Sequence, residues 1–273
     1  MNDIKDMKLY SDAYRIFKDL KEIGYSEDDK LDLVDLNQFD QLHYHGTLSV
    51  QEAIETINIQ ENDNVLEVGA GWGGPSRFIA YKTRAHVSAL ELQKDYSEVG
   101  KELTLRTGLE SFVTHINQDF LNFSERNNCF NKIVSWLALY HIPDRKKYTQ
   151  KLFNLLYQNG MLFIEDLTFG QSYKSSYKAM LQKKLFANSL EKYSDYLDTC
   201  DNVGFEIIEH KDMSSDWEMF TNERLRVLQA NKEYQEKTHG TEGYKMIEDF
   251  YTTAAECFSK NIIGGIRLIC KKN

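Results

Sequence analysis

From residue 64 onward, short apolar runs alternate with longer stretches of helical periodicity. Asn64–Val68, His86–Leu92, Phe112–Ile116, Lys132–Trp136 and Met161–Glu165 read as strands. Between them, Pro75–Tyr81, Asp95–Thr107 and Asp144–Gln158 read as helices. Pro75 sits where a helix's first turn lacks nothing by losing an N–H, and Gly108 and Asn159–Gly160 are stop signals. Tyr148, Leu152, Leu155 and Leu156 fall on one face of the third helix. This strand–helix rhythm predicts an α/β fold in which helices cover both faces of a parallel sheet, and the handedness rule for crossovers makes it doubly wound. Phe205–Glu209 and Ile262–Cys270 add two strands, giving seven in a mostly parallel sheet.

The flanks follow other patterns. Tyr10, Tyr14, Phe17 and Leu20 recur at helical spacing in residues 8–23, and Val50–Ile57 reads as a second helix. Between them lie the acidic stretch Ser26–Asp35 and the cluster Asp40–Gln41–Leu42–His43–Tyr44–His45–Gly46. Residues 168–200 and 211–260 interrupt the rhythm with mainly helical, Tyr- and Lys-rich sequence. We therefore expect one domain: an N-terminal helical lid (1–60), a core (61–167), helical cap segments (168–200 and 211–260) and final strands (201–210 and 261–273). The cap is expected over the sheet's carboxyl edge, where open α/β sheets bind ligands.

Composition narrows the class. A chain of 273 residues with 41% hydrophobic and 27% charged residues is long enough for a large α/β core. Its net charge of −9 gives a nucleic-acid partner no electrostatic support. No run approaches the roughly 20 apolar residues that span a bilayer, and the first residues resemble no targeting signal, so a cytoplasmic home is expected. Cys129, Cys200, Cys257 and Cys270 lie far apart, which implies reduced thiols and no metal site.

The chemistry concentrates in Glu67–Val–Gly69–Ala–Gly71–Trp–Gly73–Gly74, a strand end running through a glycine turn into a helix. Gly69 and Gly71 let a ligand approach the backbone, as dinucleotide-binding loops also do. Two carboxylates separate the possibilities: Glu67 lies inside the motif and Glu91 closes the second strand. Acidic groups favour the ammonium and sulfonium of S-adenosylmethionine and repel a pyrophosphate. Glu91 is suited to accept hydrogen bonds from two ribose hydroxyls. Asp119, after the third strand, is suited to the adenine amino group, with the Phe120 N–H meeting a ring nitrogen. Gly73, Leu92 and Trp136 are expected to complete the cofactor site.

These residues resemble, in order and spacing, the motifs of Rossmann-like class I methyltransferases over roughly residues 40–210. Ser135–Trp136–Leu–Ala–Leu–Tyr140–His141–Ile–Pro143 further resembles the small-molecule phosphoethanolamine and glycine/sarcosine/dimethylglycine N-methyltransferases. The resemblance implies His141 as general base or orienting group, with Tyr44 as its partner or as a contact of the cofactor carboxylate. It also implies a lid over the cofactor's methionine end at Asp40–Gly46, with His45 toward the acceptor. Ser215–Asp216–Trp217 resembles a stretch that would place Asp216 and Trp217 at an amine pocket. The sequence departs from the phosphoethanolamine type at Leu137, where those enzymes carry Asp, and no cap Arg matches their phosphate-binding one.

The expected activity is methyl transfer to a small-molecule amine of glycine-derivative or ethanolamine type. Two alternatives stay open: O- or C-methylation of a phenolic, quinone or lipid-like acceptor, and a catalytically silent subunit of a larger complex. A monomer or homodimer is expected otherwise.

Overall fold

The computed structural model describes residues 12–273; Tyr10 lies outside them. Seven strands form one sheet: β1 (Asn64–Val68), β2 (His86–Glu91), β3 (Val113–Asn117), β4 (Phe130–Trp136), β5 (Leu156–Phe169), β6 (Phe205–Asp212) and β7 (Ile263–Lys272). Their order is β3-β2-β1-β4-β5-β7-β6, with β7 antiparallel to both neighbours and the other pairings parallel. The order reverses between β1 and β4, which opens a crevice at their carboxyl ends.

Alternation along the strands explains the layers. Val65, Val134 and Phe163 face one side, packed under α3 (Thr47–Thr56) and α4 (Gly74–Thr83) through Val50, Ala53, Phe78 and Ile79. Leu66, Ile133, Leu162 and Ile164 face the other, under α6 (Arg145–Leu155) and α8 (Tyr193–Val203). The flank beyond β2 is covered by α5 (Lys94–Arg106), on which α1 (Arg15–Glu22) and the short α2 (Leu33–Leu36) pack through Ile16, Leu20 and Leu36.

Three expectations change. The helix expected over Asp144–Gln158 ends at Leu155, because Leu156 turns extended and pairs with Phe130, and Asn159 adopts φ 64° where the register of β5 on β4 shifts. Residues 168–200 are not all cap: β5 runs to Phe169, and α8 buries Tyr196 and Cys200 against the sheet, as a crossover helix does. The cap is α7 (Lys178–Lys184), α9 (Ser214–Ala230) and α10 (Lys232–Ser259), the last kinked at Gly240. Of residues 12–60, only Asp40, Leu42 and His43 reach the crevice; α1 and α3 are packed on the flanks.

Candidate active site

The carboxyl ends of β1, β2, β3 and β4 wall a cleft of roughly 1180 Å³ counted out to its open mouth. Glu67, Gly69, Gly71, Glu91, Leu92, Asp119, Phe120, Trp136 and His141 all line it.

The glycine loop is held by its own amides. Gly69 and Ala70 donate to the Leu90 carbonyl at 2.9 and 3.0 Å, and Gly73 donates to Ala70. The Gly71 N–H donates to Glu91 Oε2 at 2.8 Å. A pyrophosphate needs such amides free, so this loop is not built as an anion cradle. Gly69 is required sterically: its φ is +79°, and a Cβ there would stand 2.2 Å from that of Ala138. Gly73 does not line the cleft; it is the N-cap of α4 at φ 77°, pressed against His115.

Each carboxylate has a defined state. Glu67 is buried and accepts from the Ser76 hydroxyl; burial pushes its pKa up to about 8 against that bond. Glu91 is also raised by burial, and the amides of Gln93 and Gly71 pull it back. Asp119 accepts from the Leu121 N–H and the Asn122 amide at 2.9 and 3.0 Å, which fixes its carboxylate at the cleft beside Phe120.

Trp136 forms the wall at the end of β4. Its indole N–H donates to the Ser49 hydroxyl at 2.9 Å, Ser49 donates to Glu165 at 2.8 Å, and Arg267 donates to Glu165 at 2.5 Å. His141 lies in a turn whose Tyr140 N–H donates to Asp166 at 3.1 Å, with Tyr196 and Arg145 also on Asp166. The His141 Nδ1 lies 3.0 Å from the Phe186 carbonyl, which can only accept, so Nδ1 carries the proton and Nε2 is a bare acceptor. Burial lowers its pKa to about 4, over the opposing pull of that carbonyl, so the ring is neutral.

The expected substrate side is rearranged. Tyr44 does not line the cleft or pair with His141; its ring is 5.2 Å from Trp217 and 5.1 Å from Phe220 in an apolar cluster with the cap. His45 and Asp216 pair with each other at 2.6 Å rather than facing the cleft. Trp217 is fully buried beneath Gly265, where its bulk fills the space of a missing side chain. These four residues join lid to cap.

His43, whose role the sequence alone does not mark, reaches the cleft. It is 8% exposed, its ring is 5.4 Å from Trp136, and neither ring nitrogen has a partner. Burial, with His45 nearby, lowers its pKa to about 3. The signal available in sequence was the unusual His-Tyr-His run; which of the three faced inward was not. Asp40, its neighbour in the lid, is locked to Arg77 at 2.9 Å with both side chains fully buried. Arg77 also donates to the carbonyls of Trp72 and Gly100.

The donor set fits S-adenosylmethionine. Asp119, Glu91 and Glu67 line the cleft across the ends of β3, β2 and β1, and Gln93 Nε2 and the His43 nitrogens have no hydrogen-bond partner within the protein. Fold and site together define a class I S-adenosylmethionine-dependent methyltransferase. The chain belongs to the family described as mycolic acid cyclopropane synthetase, which matches residues 18–267. A glycine/sarcosine/dimethylglycine N-methyltransferase from Actinopolyspora halophila is 24% identical over 184 residues, 67% of this chain but only 33% of that protein. A phosphoethanolamine N-methyltransferase from Plasmodium falciparum is 26% identical over 193 residues, 69% of this chain and 70% of that one. Among solved structures, a cyclopropane synthase from Mycobacterium tuberculosis superposes with TM-score 0.77 at 16% identity, covering 99% and 98% of the two chains.

Proposed function

We propose that the protein methylates a small amine whose remainder is apolar and carries no anionic group. The observation that carries this reading is the makeup of the cleft wall. Among the described residues lining it there is no Lys or Arg, whereas Glu91, Asp95 and Asp119 are acidic. A phosphate or carboxylate on the acceptor finds no cation there, while Leu42, Trp136, Leu137 and Ile142 offer apolar surface.

Bound S-adenosylmethionine supplies an electrophilic methyl group on sulfur. The rest falls to the chain. An amine attacks only through its lone pair, so one N–H must be directed away from the sulfonium. His141 Nε2 is a neutral acceptor suited to take that N–H and aim the lone pair. The proton that the amine nitrogen gives up on methylation would pass to His141 Nε2 and on to solvent. Most of the acceleration would come from holding nucleophile and methyl in line inside a cleft walled by the fixed Trp136.

The apolar wall also supports a second reading, C- or O-methylation of a flat lipid-like or phenolic acceptor. A homocysteine-coupled assay separates the two. We expect turnover with uncharged-body amines, weak turnover with ethanolamine phosphate, sarcosine and dimethylglycine, and none with phenols or unsaturated lipids. Turnover confined to phosphorylated or carboxylated amines refutes the proposal, and turnover confined to phenols or lipids selects the second reading.

A further inference from the structure

The sheet order fixes which way the cofactor runs. With adenine at Asp119 after β3 and ribose at Glu91 at the end of β2, the roles that the motif resemblance implies, that half of the cofactor takes the β2–β3 side. The amino-acid tail therefore extends over β1 and β4, where Glu67, Trp136, His141 and His43 line the wall. That tail has two charged ends. Glu67 suits the ammonium; the carboxylate needs donors.

Donors on that side are few. The amides of Gly69, Ala70, Gly71 and Gly73 are engaged within the protein. No Lys or Arg lines the cleft among the described residues. His141 has committed its one N–H to the Phe186 carbonyl and offers only an acceptor. Gln93 has an unpartnered amide nitrogen, but it lies two residues beyond Glu91 on the ribose side. Among the described residues, His43 alone combines burial above nine-tenths, a place on the wall against Trp136, and two unpartnered nitrogens.

We propose that His43 is the donor that holds the carboxylate of the cofactor's amino-acid tail. In the neutral ring one nitrogen carries a proton and can donate to the carboxylate. An anion beside it also favours the protonated ring, so the bond becomes charge-assisted when the tail arrives. The buried imidazole is then a hydrogen-bond donor already in place before the tail arrives. Its ring plane is set by Trp136, which the Ser49–Glu165–Arg267 chain holds in place.

The test needs no acceptor, so its outcome is independent of the amine assignment above. Binding of S-adenosylhomocysteine is compared by calorimetry with binding of its decarboxylated analogue, which differs only at the carboxylate. Wild-type protein should prefer the carboxylated form by about 10- to 100-fold, the range of a charge-assisted hydrogen bond. In His43→Ala that preference should fall to near onefold, through weaker binding of S-adenosylhomocysteine alone. His43→Gln, which keeps an N–H donor, should restore part of it. Unchanged affinity for the analogue serves as the internal check that the variants are folded. The proposal is overturned if His43→Ala keeps the wild-type preference, or if it weakens both ligands equally. It is also overturned if wild-type protein shows no preference.

Discussion

The indole N–H of Trp136 donates to the hydroxyl of Ser49, which joins a strand end in the cleft to a helix on the sheet's far layer. Ser49 passes the contact to Glu165, and Arg267 neutralises that carboxylate. The wall of the cleft is thus positioned by a buried polar chain. Ser49→Ala leaves an indole N–H and a carboxylate oxygen without their partner, and should cost about 1–3 kcal/mol in denaturant unfolding. Trp136 fluorescence should shift, with KM for the acceptor rising more than kcat falls. Unaltered stability would show that water replaces the hydroxyl.

Glu67 carries its proton up to about pH 8, because burial outweighs the Ser76 bond. A cationic tail favours the ionised form, so cofactor binding at pH 7 should release a proton. Calorimetry in buffers of different ionisation enthalpy reads this directly, and Glu67→Gln should abolish the release while weakening affinity. The fold shows the opposite face of the same linkage. Between pH 4.5 and 8 the native state holds a proton that the unfolded chain has lost, so this group's contribution falls as pH rises, and Glu67→Gln should flatten that slope.

Buried histidines act in the other direction. His43 and His115 have pKa values lowered to about 3, and His141 to about 4, all chiefly by burial. Below pH 6.5 the unfolded chain binds protons that the native rings refuse, so stability falls as pH drops from 6.5 toward 4. His115→Gln should shift the acid-unfolding midpoint to lower pH. His141 stays neutral over that range, so kcat should show no acid limb near 6.5 until the fold itself fails.

Gly69→Ala should abolish measurable S-adenosylhomocysteine binding, since the new methyl meets Ala138 at 2.2 Å in a backbone conformation of φ +79°. Gly108→Ala is the control: φ is +70° there, but nothing lies within 4 Å of the added atom. It should cost about 1 kcal/mol of backbone strain and leave binding intact. Equal losses in both would mean that the loop tolerates displacement.

The residues that line the cleft were legible because most of them sit at or just beyond strand ends. Glu67, Glu91, Asp119 and Trp136 are placed by a regular βα repeat, whose side-chain directions follow from chain geometry. Seven strands were legible for the same reason; the overlong third helix was not, since Leu156 is equally apolar as helix face or strand. The lid obeys no period. His45 at φ 60° and Gly46 at φ 53° twist the chain, so His43 turns inward while Tyr44 faces the cap and His45 meets Asp216. Only tertiary contacts decide among neighbours there, and they turn Tyr44 toward Trp217 and His45 toward Asp216, away from the cleft.

Asp40 and Arg77 bear on turnover itself. They fasten the residues beside His43 to α4 through a pair with no solvent on either side. Breaking one partner from such a pair strands a charge in the interior, a cost of several kcal/mol. A segment fixed in this way behaves as masonry rather than as a hinge. Spent cofactor is then expected to leave along the side that residues 40–43 do not cover, with that short segment staying in place.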